Sequence, residues 1–266
     1  MENTPLGKTS PYISTYAPEL LVPITRTPIR EKLGINVSRM HGIDIWNHWE
    51  VSYLDTTGKP VICCLSISYD ALSPAIVESK SLKLYFNSFN QTIMESKQQF
   101  ISTVKTDLEA ILSSPVMIDE LDETCLDTKW LDDYDCIDDI QTEFNHYQPE
   151  PDLLVKSENI VSERLRSDLF KTNCMVTGQP DWASIFISYR GPEIERTGLL
   201  RYLVSFRDHQ AFHEPSCEMI FSDLLERCSC EELSVYCRYT RRGGIDINPY
   251  RSTSDELPDN YRILRQ

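Results

Sequence analysis

The order of hydrophobic and polar residues predicts a strand hairpin and two helices in the first half of the chain. Apolar and polar residues alternate over 45–54 and over 61–69, and turn residues at 57–60 separate these runs, which is typical of paired strands. Polar residues at 87–91 divide two predicted helices, and a further strand is predicted over 116–121. The apolar residues at helical spacing are Leu82, Tyr85, Phe86, Phe89, Ile101, Val104, Leu108 and Leu112.

The second half shows a similar order. Its spacing predicts a helix over 160–170 and then a strand over 183–189, which Gly191 and Pro192 close. Strands predicted over 233–240 and 245–249 flank the turn sequence 241–244. Between them lie two further groups at helical spacing: Leu199, Leu200, Leu203 and Phe206, then Ile220, Leu224 and Leu225.

Similar residues at a nearly constant separation indicate an internal repeat. The separation is 117 positions for three residues and 116 for three more. The repeated unit is two strands, two helices and two strands, which predicts an α+β fold with helices packed on one face of an antiparallel sheet. The matched residues are Tyr85, Ser88 and Phe89 with Tyr202, Ser205 and Phe206, and Val104, Asp107 and Leu108 with Ile220, Asp223 and Leu224.

Acidic residues are concentrated between the two halves. Residues 118–140 hold ten acids and the single base Lys129, so they contribute −9 of the net charge of −15. We interpret this segment as a solvated junction rather than a cation site, because the spacing of its acids is not that of ligands. Prolines then indicate an irregular connection at 147–152. The predicted division is an N-terminal module at 1–140, a linker at 141–157 and a C-terminal module at 158–266.

Composition limits the classes of partner. The 266 residues suffice for one large domain or two small ones, and 26 bases against 41 acids give a charge that repels nucleic acid and anionic lipid. No apolar run is long enough to cross a bilayer and the start of the chain is polar, so we expect a cytoplasmic protein. The nine cysteines are irregularly spaced, which predicts mostly buried thiols and no disulfide framework.

Several well-known binding motifs are incomplete or missing in this sequence. Residues 6–10 resemble the end of a phosphate-binding loop, but that pattern requires glycine where Glu2 stands. No G-x-G-x-x-G sequence follows a strand, so a dinucleotide is not expected in a Rossmann unit. The cysteine pairs at 63–64 and at 228 and 230 lack the spacing of structural zinc sites, so no metal site is predicted.

Cys174 is the candidate nucleophile. It lies in a stretch whose Gly178 and Pro180 forbid regular structure, and loops of this kind often display reactive groups. For a cysteine chosen blindly, a buried inert thiol is the more common case. Asp181, seven residues on, can fold back toward the thiol as a proton donor, or can serve as a turn residue or helix cap.

Four motifs in order resemble a known family. They are Asn173-Cys174 with Gln-Pro-Asp-Trp at 179–182, Glu-Ser-Lys-Ser-Leu-Lys-Leu-Tyr at 78–85, Phe-His-Glu at 212–214, and Tyr-Thr-Arg-Arg-Gly-Gly at 239–244 with Asp-Ile-Asn-Pro at 246–249. Together with 6–8 and 41–46, they resemble the long, two-module form of the NADPH-dependent 7-cyano-7-deazaguanine reductases, the nitrile reductases of queuosine biosynthesis. Gly178 and Ala183 depart from the family pattern.

The resemblance implies a fold, a cofactor and a set of roles. The fold is a tandem tunnelling fold (T-fold) whose subunits assemble through their sheets, here as a homodimer, and the cofactor is NADPH. The implied site residues are Cys174 and Asp181 for catalysis, Val77, Glu78, His213 and Glu214 for the deazaguanine, and Ser79, Lys80, Arg242 and Gly243 for the cofactor.

The implied reaction gives each residue a chemical task. A thiolate at Cys174 adds to the nitrile carbon to form a covalent thioimide, which hydride from NADPH then reduces. Asp181 is expected to arrive protonated, with a pKa raised by Pro180 and Trp182, and to donate to the nitrogen. Glu78 and Glu214 are expected to accept the ring N–H and the exocyclic amine of the substrate, with His213 donating to its carbonyl.

Two other functions compete with this one. A cysteine hydrolase of nitriles or amides would use Cys174, Glu78 and Lys80 with water and no cofactor. A catalytically silent purine-binding module would use the same pocket without forming a covalent adduct.

Overall fold

A computed structural model describes residues 12–266, so the phosphate-loop-like segment at 6–10 lies outside the described residues. The helices are α1 (Thr27–Leu33), α2 (Ser79–Asn87), α3 (Lys97–Leu112), α4 (Arg196–Ser205) and α5 (His213–Cys228). The strands are β1 (Pro23–Thr25), β2 (His41–Leu54), β3 (Pro60–Asp70), β4 (Ala75–Val77), β5 (Val116–Glu120), β6 (Asp135–Cys136), β7 (Lys156–Ser167), β8 (Lys171–Asn173), β9 (Pro180–Ile194), β10 (Glu232–Tyr239) and β11 (Ile245–Ser252). Short 3₁₀ helices span Pro18–Leu20, Glu123–Leu126, Lys129–Asp133, Pro151–Leu153 and Phe206–Asp208.

One sheet runs through both halves of the chain. Its strand order is β5-β3-β2-β11-β10-β9-β7-β6, and every neighbouring pair is antiparallel except β6 with β7. The halves join where β11 pairs with β2 in an unbroken register from Ile245–His48 to Ser252–His41. The prediction of an α+β fold with an antiparallel sheet is therefore confirmed.

Two hydrophobic cores lie side by side under the helices. In the first, Tyr85 and Phe86 of α2 and Phe100 of α3 pack against β2 and β3, and all three side chains are buried. In the second, Leu203 of α4 and Leu224 of α5 pack against β9 and β10. Alternate strand residues supply these cores because successive side chains of a strand point to opposite faces. The helices thus share one face of the sheet, as the apolar spacing predicts.

The residues matched in the sequence repeat make matching contacts. The Tyr85 hydroxyl donates to Asp107 at 2.6 Å, and its counterpart, the Tyr202 hydroxyl, donates to Asp223 at 2.5 Å. The Ser88 hydroxyl donates to the Tyr85 carbonyl and the Ser205 hydroxyl to the Tyr202 carbonyl, both at 2.6 Å. The same polar bonds therefore hold the helix pair in each half.

The internal repeat extends further toward the start of each half than the matched residues of the sequence indicate. The amides of Ala17 and Glu150 each donate to the matched serine hydroxyl, Ser88 or Ser205, at 3.2 Å. The short sequences that follow, Pro-Glu-Leu-Leu-Val at 18–22 and Pro-Asp-Leu-Leu-Val at 151–155, are nearly identical. The segment predicted as a linker thus includes a counterpart of the first turn of the N-terminal half.

The prediction of a helix over 160–170 is wrong, because most of this segment is a strand. These residues form most of β7, which pairs antiparallel with β9 from Ile160–Pro192 to Ser167–Ile185. The apolar residues of the segment fit a helical spacing as well as a strand. Pairing along β9 decides between them, because tertiary contacts routinely override a weak local preference.

The strand predicted to close at Gly191 and Pro192 instead continues through them to Ile194. Gly191 has a φ of 156°, and a Cβ there would lie 3.0 Å from the Cys230 Cα, so the close approach of the backbones requires glycine. Beyond Arg190, β9 pairs only with β7, so the missing N–H of Pro192 breaks no bond to β10.

The acidic junction is only partly solvated. Its carboxylates are mostly exposed, but its apolar side chains Trp130, Leu131 and Tyr134 pack on the sheet face opposite the helices, against Phe186 and Tyr236. Trp130 and Phe186 have ring centroids 4.5 Å apart. The segment therefore crosses this face before β6 joins the far edge of the sheet at β7.

A buried ion cluster joins the two halves near the β2–β11 seam. Arg251 of β11 contacts Asp44 of β2 at 2.7 Å and Glu218 of α5 at 2.8 Å, and all three side chains are almost fully buried. Arg26 pairs with Asp44, and Arg30 of α1 contacts Glu218 at 2.7 Å. Burial alone would raise the pKa of Glu218, but the arginines outweigh it and hold that pKa below its ordinary value.

We expect Glu218→Gln to destabilise the protein by about 3 kcal/mol or more, because the buried Arg26 and Arg251 keep only Asp44 as a partner and the partly buried Arg30 loses its carboxylate. The free energy of unfolding from urea titration measures the effect. Glu231→Gln is the control, since the Arg190–Glu231 pair has both side chains 49% exposed and should contribute less than about 1 kcal/mol. Equal losses in the two variants would contradict a structural role for the cluster.

Candidate active site

Cys174 lies in a closed loop between β8 and β9. Its amide donates to the Gln179 carbonyl at 2.8 Å, and its carbonyl accepts from the Gly178 amide at 2.9 Å. β8 ends at Asn173 and β9 begins at Pro180, so two strands position both ends of the loop. The thiol therefore belongs to irregular but hydrogen-bonded backbone, and the Cys174 side chain is buried, with 9% of the residue exposed.

A narrow cavity brings most of the predicted site residues together. Seven of the ten line it, and they come from both halves of the chain. Its free volume of about 30 Å³ is small. The seven are Val77, Ser79, Cys174, Asp181, His213, Glu214 and Arg242.

A second, wider cavity adjoins the first across Cys174. Its volume is about 380 Å³, and Ser79, Lys80, Lys83 and Arg242 line it. Gly243 lies at its edge with a φ of 61°, and a Cβ there would come within 3.1 Å of the Lys83 side chain. Burial and the Arg242 charge lower the pKa of Lys83 from its ordinary value. The thiol thus stands between a narrow cavity and a wider basic one.

Asp181 is ionised in this arrangement, against the expectation of a protonated acid. Burial would raise its pKa, but His213, whose Nε2 lies 3.6 Å from the carboxylate, and Arg242, which donates to the same oxygen, together lower it below its ordinary value. The neighbouring Trp182 is 38% exposed. The expected desolvation is present, but the two basic partners outweigh it.

Glu214 shows the opposite behaviour in the first turn of α5. It is 2% exposed, and its Oε1 has no hydrogen-bond partner among residues 12–266. Burial raises the pKa of Glu214 to about 7, and the nearby Asp44 carboxylate adds to the effect. A buried acceptor without a protein donor can accept a hydrogen bond from a ligand.

Glu78 caps a helix. Its carboxylate accepts the amides of Lys80 at 2.8 Å and Ser81 at 2.7 Å, which satisfies the first turn of α2. Glu195 does the same for α4 in the second half. Glu78 is 1% exposed and lies beside the cavity residue Val77. Both of its carboxylate oxygens already accept backbone hydrogen bonds, which the sequence did not predict.

Comparison with known proteins identifies the relationship. A family model described as "Nitrile reductase, 7-cyano-7-deazaguanine-reductase N-term" matches residues 12–119, and one described as "QueF-like protein" matches residues 180–257. Proteins called NADPH-dependent 7-cyano-7-deazaguanine reductase are similar along nearly the whole chain. That of Dechloromonas aromatica is 48% identical over 99% of this chain and 95% of its own length.

Other relatives agree. The reductase of Legionella pneumophila (strain Lens) is 46% identical over 98% of this chain and 94% of its own, and that of Azoarcus sp. is 44% identical over 100% and 96%. The chain belongs to the 7-cyano-7-deazaguanine reductase family. The apo archaeosine synthase QueF-Like structure aligns with 39% of this chain and 100% of its own at 14% identity, with a TM-score of only 0.32.

Two cavity residues were missed as functional residues by the sequence analysis. Trp46 of β2 and Phe212, directly before α5, both line the narrow cavity. In the sequence, Trp46 is one of several apolar residues of an alternating strand, so the pattern marks it only as core. Lys83, which lines the wider cavity, has no role assigned from the sequence. It lies one helical turn after Ser79 and Lys80, and that spacing was the available signal.

Other features of residues 12–266 bear on the remaining sequence predictions. No helix there has the length and apolar character needed to cross a membrane. Cys136, Asp138 and Asp168 offer ligand atoms within 4.8 Å of one another, but Asp138 already accepts from the Ser167 hydroxyl and Asp168 from Arg166. Most cysteines are buried, as predicted, and Cys136 is exposed.

We expect Arg242→Gln to raise the pKa of Asp181, because it removes a cation that donates to the carboxylate and leaves burial opposed only by His213. Carboxyl ¹³C resonances followed through a pH titration measure this, with Asp181→Asn assigning the signal. Arg241→Gln is the control, since its guanidinium lies over the Trp49 ring, 5.7 Å from the centroid. An unchanged Asp181 titration in Arg242→Gln would refute the assignment of the shift to that cation.

Proposed function

We propose that this chain reduces the nitrile of 7-cyano-7-deazaguanine to the aminomethyl group with NADPH, through a covalent thioimide on Cys174, in queuosine biosynthesis. One observation carries the proposal. The Cys174 thiol stands at the boundary between a narrow cavity, which holds an unpaired buried carboxylate, and a wider cavity lined by basic side chains. Membership of the reductase family supports the same reaction.

The narrow cavity is the proposed site of the deazaguanine. Glu214 accepts the ring N–H and exocyclic amine, and these charge-assisted bonds supply the partner that its buried oxygen lacks. Val77 and His213 complete this wall, and Glu78, next to Val77, holds the first turn of α2 beside it.

The covalent step needs no external acid when Asp181 starts ionised. Asp181 takes the proton of the Cys174 thiol, the thiolate adds to the nitrile carbon, and Asp181 returns the proton to the nitrogen. A C–S bond forms, one C–N π bond is lost, and the carboxylate is regenerated. His213 and Arg242 hold Asp181 in the ionised form in which it acts as a base. This sequence replaces the expectation of an aspartic acid that arrives protonated.

The wider cavity is the proposed site of the cofactor. NADPH held there would supply the hydride for both two-electron stages of the nitrile reduction. Lys80 and Arg242, with Lys83 beside them, provide positive charge for phosphate groups, and Ser79 is a hydroxyl donor. Gly243 has no Cβ, so its backbone can lie close to the Lys83 side chain at the edge of the cavity.

The architecture proposed for the whole protein is a tandem T-fold that assembles as a cytoplasmic homodimer, with modules at 1–140 and 158–266. The matching contacts of the two helix pairs support a tandem arrangement. The first residues of β7, Lys156–Asn159, are exposed at the sheet edge, which leaves backbone groups available for pairing between subunits.

Intact-protein mass spectrometry tests the covalent step. Incubation with 7-cyano-7-deazaguanine without NADPH should add the mass of one substrate to the wild type and to Cys136→Ala, whose missing thiol is the exposed one, but none to Cys174→Ala. Added NADPH should discharge the adduct with loss of nicotinamide absorbance. A hydrolase would leave NADPH unoxidised, and a silent binding module would form no adduct, so either result would reject the proposal.

The binding of the substrate should strengthen as the pH rises from 6 to 8. Glu214 has a pKa of about 7 in the free protein and binds as a carboxylate, so protonation at lower pH competes with the ligand. Calorimetry on Cys174→Ala keeps the binding non-covalent. Adding Glu214→Gln should weaken binding about tenfold to a hundredfold and abolish this pH dependence. Glu226→Gln, an exposed residue of α5, should change neither, and a pH-independent affinity in Cys174→Ala would exclude the role of Glu214.

A further inference from the structure

The narrow cavity contains a second buried polar group that the proposed mechanism does not use. The indole nitrogen of Trp46 has no hydrogen-bond partner among residues 12–266, and the residue is only 1% exposed. Trp46 lines the same cavity as Glu214, whose Oε1 also lacks a partner. The residues that line this cavity thus include one unpaired donor and one unpaired acceptor.

The Trp46 backbone is held firmly. It lies in the centre of the sheet, where β2 pairs on both sides, opposite Ile247 of β11 and Ile67 of β3. A tryptophan N–H only donates and does not titrate. A buried donor in this position costs free energy until a ligand acceptor meets it. The group that fills the cavity therefore needs an acceptor atom as well as the donors that Glu214 requires.

We propose that the Trp46 N–H donates to the ring carbonyl oxygen of the deazaguanine and selects it over an adenine-like ring, an inference that rests on the proposed function. A guanine-type edge presents a carbonyl acceptor beside two donors, which complements one N–H and one carboxylate. An amino group in place of the carbonyl would turn a donor toward the indole N–H and leave both unpaired.

His213, the residue expected to bind the carbonyl, already has other contacts. Its Nε2 lies 3.6 Å from the Asp181 carboxylate, and its ring centroid lies 3.9 Å from that of Tyr239. These contacts direct the imidazole toward the proton-transfer group. Trp46 lines the same cavity with an N–H that has no partner among residues 12–266, so the two tasks fall to different side chains.

The test compares Trp46→Phe with Trp130→Phe, both made in Cys174→Ala. Trp130 also has a buried, unpartnered indole nitrogen, but it packs on the opposite face of the sheet. Trp46→Phe should weaken binding of 7-cyano-7-deazaguanine roughly three- to tenfold, the range of one neutral hydrogen bond, and Trp130→Phe should not. For the analogue that lacks the carbonyl oxygen, Trp46→Phe should cause no loss. A loss that persists with this analogue, or no loss with either ligand, would overturn the proposal.

A measurement that retains Trp46 guards against misfolding of the variant. In ¹⁵N-labelled Cys174→Ala, one of the four indole N–H resonances should shift downfield when the substrate binds, and the Trp130 resonance should not. Assignment follows from Trp49→Phe, Trp130→Phe and Trp182→Phe by elimination. Substrate binding without a shift of the Trp46 signal would refute this inference and leave the proposed function standing, whereas failure of the wild type to bind or reduce the nitrile would refute the proposed function itself.

Discussion

The pairing of β2 with β11 is the interaction on which the rest of the molecule depends. It merges the strands of two helix-covered halves into one sheet, with continuous register from Ile245 to Ser252. The same seam brings Trp46 of the first half opposite Ile247 of the second, and both line the narrow cavity. The buried cluster around Arg251 spans this seam, so separating the halves would break the ion pair between Arg251 and Asp44.

The two halves use the same bonds to hold their helices, yet only the second contains the loop that carries Cys174. Glu78 and Glu195 cap equivalent helices, and Tyr85 and Tyr202 donate to equivalent aspartates. A repeated scaffold of this kind positions helix ends reproducibly. The second half then adds the Cys174 loop between β8 and β9, while the first contributes the wall that faces it.

Two buried carboxylates in one cavity have pKa values displaced in opposite directions. His213 and Arg242 lower the pKa of Asp181 and keep it ionised. Burial and the Asp44 carboxylate raise the pKa of Glu214 to about 7. A carboxylate held ionised can only accept hydrogen bonds, whereas one with a pKa near neutrality can change its protonation state when its surroundings change. Both side chains end in a carboxyl group, so the surroundings of each group, and not its chemistry, make the distinction.

The sequence by itself determined the α+β class, the strand hairpin, the helix pairs, the repeat and the motif that carries Cys174, because these depend on local periodicity and residue type. Tertiary structure decided that 160–167 is a strand, that Asp181 is ionised and that Trp46 lines the cavity. Each of these depends on contacts between residues far apart in the chain. Strand pairing, desolvation and the distance between charges arise only after the chain has folded, so local spacing carries no record of them.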